Sequence, residues 1–427
     1  MNILNNKNTI FLQSSEKKHK GISLTIFFVK WILLGSIVGI ATGAACTLFL
    51  KSLEVATAIR TNYTWLLFLL PCGGIFISYL YINYGKNSSK GNNLILDCVH
   101  SGEDSIPLRM APLVSFCTFI THLLGGSAGR EGVGVQIGGS LSEWIGKVFK
   151  VNEIDRKILL VSGISSGFGS IFGTPLTGTV FGLEVIAMGS MKYDALIPCF
   201  TASFVGSLVT SALGIHHSHT LLHNVPVLSF VVVFKVILAS ILFGLSSVLF
   251  AELTHKFKKL FASYIKNPMV KSFIGGIVII LLVYIAGTRE YLGLSLPLIS
   301  SSFEKAASPF AFLWKTIFTS LTLSFGFQGG EVTPLFVIGS TLGSALSPLF
   351  NLPTAFLAAV GYVAVFCGAT NTPIACFILS IELFGSEAMP YMLMACIVSY
   401  LFSGHSTIYT SQKVAVRKYS YKKRENN

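Results

Sequence analysis

Seven apolar runs constrain this chain more than anything else in it: Ser23 to Leu50, Tyr63 to Tyr84, Pro107 to Leu124, Val227 to Glu252, Val270 to Gly287, Pro309 to Phe325 and Met389 to Phe402. About 20 apolar residues carry a helix across a bilayer, and inside hydrocarbon a helix satisfies its own backbone N–H and C=O groups. Only 11% of the residues are charged, against about 25% in an average soluble domain, and the mean hydropathy is +0.70. The fold class is therefore an all-α polytopic membrane protein. Glycine and proline interrupt the apolar intervals between the runs, so tilted and broken helices are expected and the runs are not a count of crossings.

The net charge of +13 is an orientation signal rather than a nucleic-acid surface. Lys17, Lys18 and Lys20 precede the first run, while Lys413, Arg417, Lys418, Lys422, Lys423 and Arg424 follow the last. Basic residues beside spans stay in the cytoplasm, so both termini are expected there, with an even number of crossings. The polar stretch before Ser23 and the length of the first run do not fit a cleaved signal peptide. The first run reads as a retained span whose small residues Gly35, Ser36, Gly39, Gly43 and Ala44 allow close packing. The eight cysteines (Cys46, Cys72, Cys98, Cys117, Cys199, Cys367, Cys376, Cys396) show no CxxC spacing and read as small core residues.

The stretch Gly126 to Gly138 sets Arg130 beside Glu131 among glycines. An ionisable residue in lipid is costly and marks an ion or proton path by default; a polar loop in the headgroups is the other reading. Glu131 falls in the first turn of a helix, where the dipole favours a carboxylate and, equally, a competing inorganic anion. A second helix start follows Gly85 to Gly91, with Asn92 or Asn93 at the N-cap position. Its free N–H groups and amides make an anion site, or an ordinary cap at the membrane surface. His216, His217, His219 and His223 lie in a polar linker; no Cys, Asp or Glu accompanies them, so they read as loop rather than as a metal site.

The second half echoes the first. Gly126, Gly129 and Glu131 recur as Gly326, Gly329 and Glu331, all 200 residues on, and Thr174, Pro175 and Glu184 recur as Thr372, Pro373 and Glu382, all 198 residues on. Two such matches in the same order argue for an internal duplication. Duplicated halves with broken segments at matching positions point to a transporter with its binding site near the midplane. The matches themselves do not say whether the halves are inverted. The expected division is a cytoplasmic tail over 1–22, a first membrane repeat over 23–213, a linker over 214–226, a second repeat over 227–402, and a C-terminal segment with a basic tail over 403–427.

With these residues assembled, the chain resembles the CLC family of anion channels and proton-coupled anion exchangers. Gly129 to Gly132 matches the family's G-R-E-G-x motif, Gly330 to Pro334 stands at its G-x-F-x-P motif, Gly91 to Ile95 at its G-S-G-I-P motif, and Tyr409 at its anion-coordinating tyrosine. The resemblance runs from Ser23 to about Tyr409. It implies a CLC-like fold of two inverted repeats, and a homodimer with one pathway per subunit. The departures are specific: Asn92 replaces the central serine, Val332 replaces the phenylalanine of G-x-F-x-P, Glu331 and Thr333 flank it, and Val185 stands where chloride/proton exchangers carry an internal glutamate. Together they resemble the fluoride-exporting branch, in which G-N-N-L-I, G-R-E-G-V-G-V-Q and G-G-E-V-T-P occur together.

That resemblance implies a fluoride/proton antiporter in the plasma membrane of a bacterium, the alternative being a chloride/proton exchanger or a passive chloride channel. Glu131 would gate the anion path and carry protons. Asn92, Asn93, Gly132, Val133, Val332, Thr333 and Tyr409 would bind the anion, and Gly129, Arg130, Gly329, Gly330 and Pro334 would support the site. Glu331 is either a second protonatable group or a structural carboxylate. Glu184 and Glu382 read as buried structural carboxylates or cytoplasmic-end residues. No HExxH, GxSxG or paired-Asp arrangement lies within the apolar runs, so an intramembrane enzyme is not expected, and no cofactor or metal is called for. With eighteen residues after Tyr409, the cytoplasmic nucleotide-binding module of many CLC relatives is not expected either.

Overall fold

In a computed structural model, the backbone is described for residues 4–102, 105–217 and 220–419, and side chains within these from residue 24 onward. The side chains of Lys17, Lys18 and Lys20, and the residues His219, Lys422, Lys423 and Arg424, lie outside the described residues.

The apolar runs form helices, several of which end on a capping glycine, at Gly102, Gly173, Gly287 and Gly385. In the first half these are α1 (Leu4–Asn62), α2 (Leu70–Leu80), α3 (Asn92–Ser101), α4 (Met110–Leu123), α5 (Glu131–Val148), α6 (Glu153–Phe172), α7 (Pro175–Glu184) and α8 (Leu196–Ala212). In the second they are α9 (Phe230–Tyr264), α10 (Pro268–Ala286), α11 (Leu296–Glu304), α12 (Ala311–Ser324), α13 (Val332–Phe350), α14 (Thr354–Thr370), α15 (Pro373–Phe384) and α16 (Met389–Phe402). Among the described residues, six segments are long and apolar enough to cross a membrane: 24–62, 64–90, 193–212, 230–264, 268–286 and 332–350.

Two of these, 193–212 and 332–350, are absent from the seven runs. Serine, threonine and glycine dilute their hydropathy, and in 332–350 the chain can tolerate this because 78% of the apolar window is buried inside the protein. Conversely, the runs at 107–124, 309–325 and 389–402 become α4, α12 and α16, of 14 residues each. At 1.5 Å per residue such helices reach only about 21 Å, short of the hydrocarbon thickness. The span at 227–252 continues to Tyr264 as one helix.

Small residues bring the helices together. Added Cβ atoms on Gly39 and Gly43 of α1 would lie 2.8 and 2.7 Å from the carbonyls of Ala202 and Gly206 on α8. In the same way Gly138 of α5 meets the carbonyl of Gly163 on α6, and Gly339 of α13 meets that of Gly361 on α14, so the two halves use the same backbone-to-backbone packing.

The halves also cap each other. Glu184, at the end of α7, accepts the N–H groups of Ile374 (3.1 Å) and Ala375 (2.8 Å) in the first turn of α15. Glu382, on α15, accepts those of Leu176 (3.0 Å) and Thr177 (2.7 Å) in the first turn of α7, and the Thr177 hydroxyl at 2.6 Å. The matched Thr-Pro…Glu pairs thus form a reciprocal helix-capping unit that satisfies the free N–H groups of each helix start across the duplication. Seven of the eight cysteines are buried, as small core residues, and Cys72 is exposed.

Candidate functional site

Two glycine loops, one from each half, meet in the interior. Gly129 and Gly330 exchange backbone hydrogen bonds as an antiparallel bridge, at 2.6 Å from the Gly129 N–H to the Gly330 carbonyl and 2.7 Å in the other direction. The approach requires glycine: a Cβ on Gly129 would lie 2.8 Å from Cδ of Pro334 and 2.9 Å from Oγ1 of Thr333, and one on Gly329 would lie 2.3 Å from Cβ of Ala128. Gly129, Gly329, Gly330 and Pro334 thus form the floor that brings the starts of α5 and α13 together.

Glu131 is the first residue of α5 and is 1% exposed. Its carboxylate reaches across to the start of α13, where Thr333 donates its backbone N–H (2.9 Å) and its hydroxyl (2.5 Å) to Oε2. The Arg130 N–H lies 3.3 Å from the same oxygen and 3.2 Å from Oγ1 of Thr333. Arg130 therefore anchors the site through its backbone, while its guanidinium stands 3.5 Å from Oε1 of Glu131 with Nε lacking a hydrogen-bond partner. A helix N-terminus draws negative charge, and here a carboxylate occupies it. Thr333, expected to bind an anion directly, holds the glutamate in this conformation.

Gly91 caps α3, so Asn92 is its first helical residue. Asn92 Nδ2 lies 2.9 Å from where a Cβ on Gly132 would be, so only glycine at 132 lets the amide stand against the start of α5. Asn92 and Tyr409 line one cavity with Leu96, Val135, Phe181 and Val185. Asn93 turns away: its Oδ1 accepts the Ser411 N–H at 3.0 Å and so fixes the segment that carries Tyr409. The same segment pairs Lys413–Val414 in parallel with Ala187–Met188, and Gln412 donates to the Val185 carbonyl at 2.9 Å.

The side chains of Val133 and Val332 belong to the apolar core, and the Val133 N–H returns to the Arg130 carbonyl at 3.1 Å. Glu331 precedes α13 without capping it, half-buried, with His255 and Lys258 of α9 as the groups acting on it electrostatically. The site therefore unites Glu131, Gly132, Thr333, Arg130, Gly129, Gly329, Gly330 and Pro334 on one side and Asn92 with Tyr409 on the other. Among the described residues no group of three or more His, Cys, Asp or Glu is placed to hold a metal ion.

The sequence reading did not single out what holds the loop of the first half. Lys315, fully buried on α12, donates to Ser127 Oγ (2.9 Å), Ser295 Oγ (2.8 Å) and the carbonyls of Gly293 (2.9 Å) and Tyr291 (3.2 Å). The His122 ring spans the carbonyls of Thr118 (2.9 Å) and Ala128 (3.1 Å). A charged or titratable residue inside an apolar run was the available signal for both.

Duplicated, mutually capped helices with paired N-termini converging on a buried carboxylate define a membrane protein of the ion-transporter kind. The family model "Voltage gated chloride channel" matches residues 73–404. Over 412 residues the chain is 43% identical to the "Chloride/fluoride channel protein" of Pseudomonas syringae pv. tomato, covering 95% of this chain and 91% of that one. It superposes on a CLC-type fluoride/proton antiporter with a TM-score of 0.88 at 36% identity, covering 91% of this chain and 98% of the other. A slow cyanobacterial Cl-/H+ antiporter shares the fold at 20% identity, with a TM-score of 0.78 over 89% of this chain and 96% of the other. The chain belongs to the CLC family.

Proposed function

We propose that this protein exports fluoride in exchange for protons, with Glu131 as both gate and proton carrier. The supporting observation is the Glu131 carboxylate seated on the N–H and hydroxyl of Thr333 at the start of α13. A small anion would seek the same donors, and one space cannot hold both. Protonation removes the charge that keeps the carboxylate there, frees the donors, and lets the anion pass.

Fluoride holds its water tightly, and stripping an ion of hydration costs on the order of tens of kcal/mol in a low-dielectric medium unless donors replace the water. Asn92, the N-termini of α5 and α13, and the Tyr409 hydroxyl would supply them. Partial charges rather than a full cation let the ion leave again. Inward proton flow then drives fluoride outward, both termini facing the cytoplasm. The name of the Pseudomonas relative joins chloride to fluoride, so chloride is the competing substrate.

The homodimer of this reading would meet along the apolar stripe Leu196, Phe200, Phe204 and Leu208, exposed at intervals of four residues along α8. A homodimer would bury it, with one pathway in each subunit.

Proteoliposomes loaded with fluoride or chloride, read by ion and pH electrodes, test this function. Wild type should release fluoride faster than chloride while taking up protons, and Glu131→Gln should lose the coupling. Fluoride release without proton uptake, or strict coupling in Glu131→Gln, refutes it.

A further inference from the structure

We infer that a second polar route, formed by Ser88, Gln136 and Asn92 around Gly91, carries protons from Glu131 toward the cytoplasmic side beside the anion cavity. The inference rests on the antiport reading and adds the path its protons take. Val185 lines the anion cavity where a titratable group would have offered one.

Three buried oxygens at this place have no hydrogen-bond partner: Ser88 Oγ, Gln136 Oε1 and Asn92 Oδ1. Ser88 is 1% and Gln136 6% exposed. Native interiors rarely leave such groups unpaired, and the usual remedy is ordered water held by several polar partners. All three sit about one turn of chain. Ser88 and Gly91 are joined by the Gly91 N–H to the Ser88 carbonyl (3.0 Å), and Gln136 Nε2 would lie 3.7 Å from a Cβ on Gly91. Asn92 follows Gly91 directly.

The route has two ends. Lys86, Asn87, Ser89 and Lys90 of the same turn are exposed, so Ser88 is its one inward-facing residue. At the other end Gln136 stands one helical turn from Gly132, on the same face of α5, and Gly132 is where the Asn92 amide meets that helix. Gly132 adjoins Glu131. Carboxamides suit the task because each offers an acceptor to a water that carries a proton and a donor to the next water's lone pair. The O–H bond of protonated Glu131 breaks and its proton is passed from water to water, each gaining one proton and giving one up. The last transfer releases the proton at the turn, with a net movement of one proton and Glu131 left as the carboxylate.

The test measures fluoride release and proton uptake in the same proteoliposomes for wild type, Gln136→Met and Ser88→Ala. The expected result is a fall of about fivefold or more in protons taken up per fluoride released, the scale of one lost hydrogen bond. A purely structural role would lower both fluxes in proportion and leave the ratio intact. Ser88→Ala removes a single hydroxyl and carries the test if Gln136→Met does not fold. A coupled wild type whose ratio survives in every folded variant overturns the relay alone. A wild type that moves fluoride without protons overturns the antiport reading together with it.

Discussion

Replacing Thr333 by valine removes one hydrogen bond from the gate while leaving its shape. The hydroxyl donates to Oε2 of Glu131 at 2.5 Å, and the backbone N–H, which the substitution keeps, donates to the same oxygen at 2.9 Å. A hydrogen bond to a charged group contributes about 1.5–3 kcal/mol. At about 1.4 kcal/mol per factor of ten, the seated carboxylate loses roughly ten- to hundredfold in occupancy relative to withdrawn positions. Fluoride efflux from proteoliposomes at fixed pH should therefore become faster and less strictly coupled in Thr333→Val. Thr333→Ser retains the donor to Glu131 and the acceptor 3.2 Å from the Arg130 N–H, and should behave as wild type. If Thr333→Val matches wild type in both rate and coupling, the hydroxyl does not hold the gate and the seated carboxylate is not the closed state.

Two further substitutions separate scaffold from mechanism. Glu382→Ala strips the cap from Leu176 and Thr177 at the start of α7, a loss of about 1–2 kcal/mol on the scale of helix caps; the melting temperature in detergent should fall by several degrees while the ratio of protons to fluoride is unchanged. Gly129→Ala forces a Cβ to within 2.8 Å of Pro334 and 3.0 Å of the Gly330 carbonyl. It should abolish transport in protein that still elutes as a single species on size exclusion, whereas normal transport would show that the paired loops are not needed for the gate.

Much of the site could be read before any coordinates. The duplication was visible because matched glycines and Thr-Pro…Glu pairs occupy positions that backbone packing and helix capping restrict to those residue types. Glu131 could be placed at a helix start because a carboxylate followed by Gly132 and small residues at helical spacing has one comfortable place. The function of Glu184 and Glu382 stayed open in the sequence, since a carboxylate eight residues beyond a Thr-Pro does not say which helix it will reach. Each caps the helix of the other half, a contact across about 190 to 206 positions of sequence. Asn93 could not be told from Asn92, as adjacent amides at a helix start differ only in the direction they face. Gln136 passed as one letter of a motif, because an amide in a glycine-rich helix looks ordinary until its oxygen is seen to be buried and unpartnered.

By itself, the sequence determined that the chain lives in a bilayer, is built from broken helices in two related halves, and carries a carboxylate at a glycine-lined helix start. Hydropathy, glycine placement and capping are local properties that residue types carry with them. Tertiary structure alone decided where that carboxylate points, which donors it takes, and which of the polar residues near it are left without partners. These depend on helix N-termini from opposite halves meeting within hydrogen-bond distance. Only close packing of the whole bundle sets a distance of that kind between residues about 200 apart in the chain.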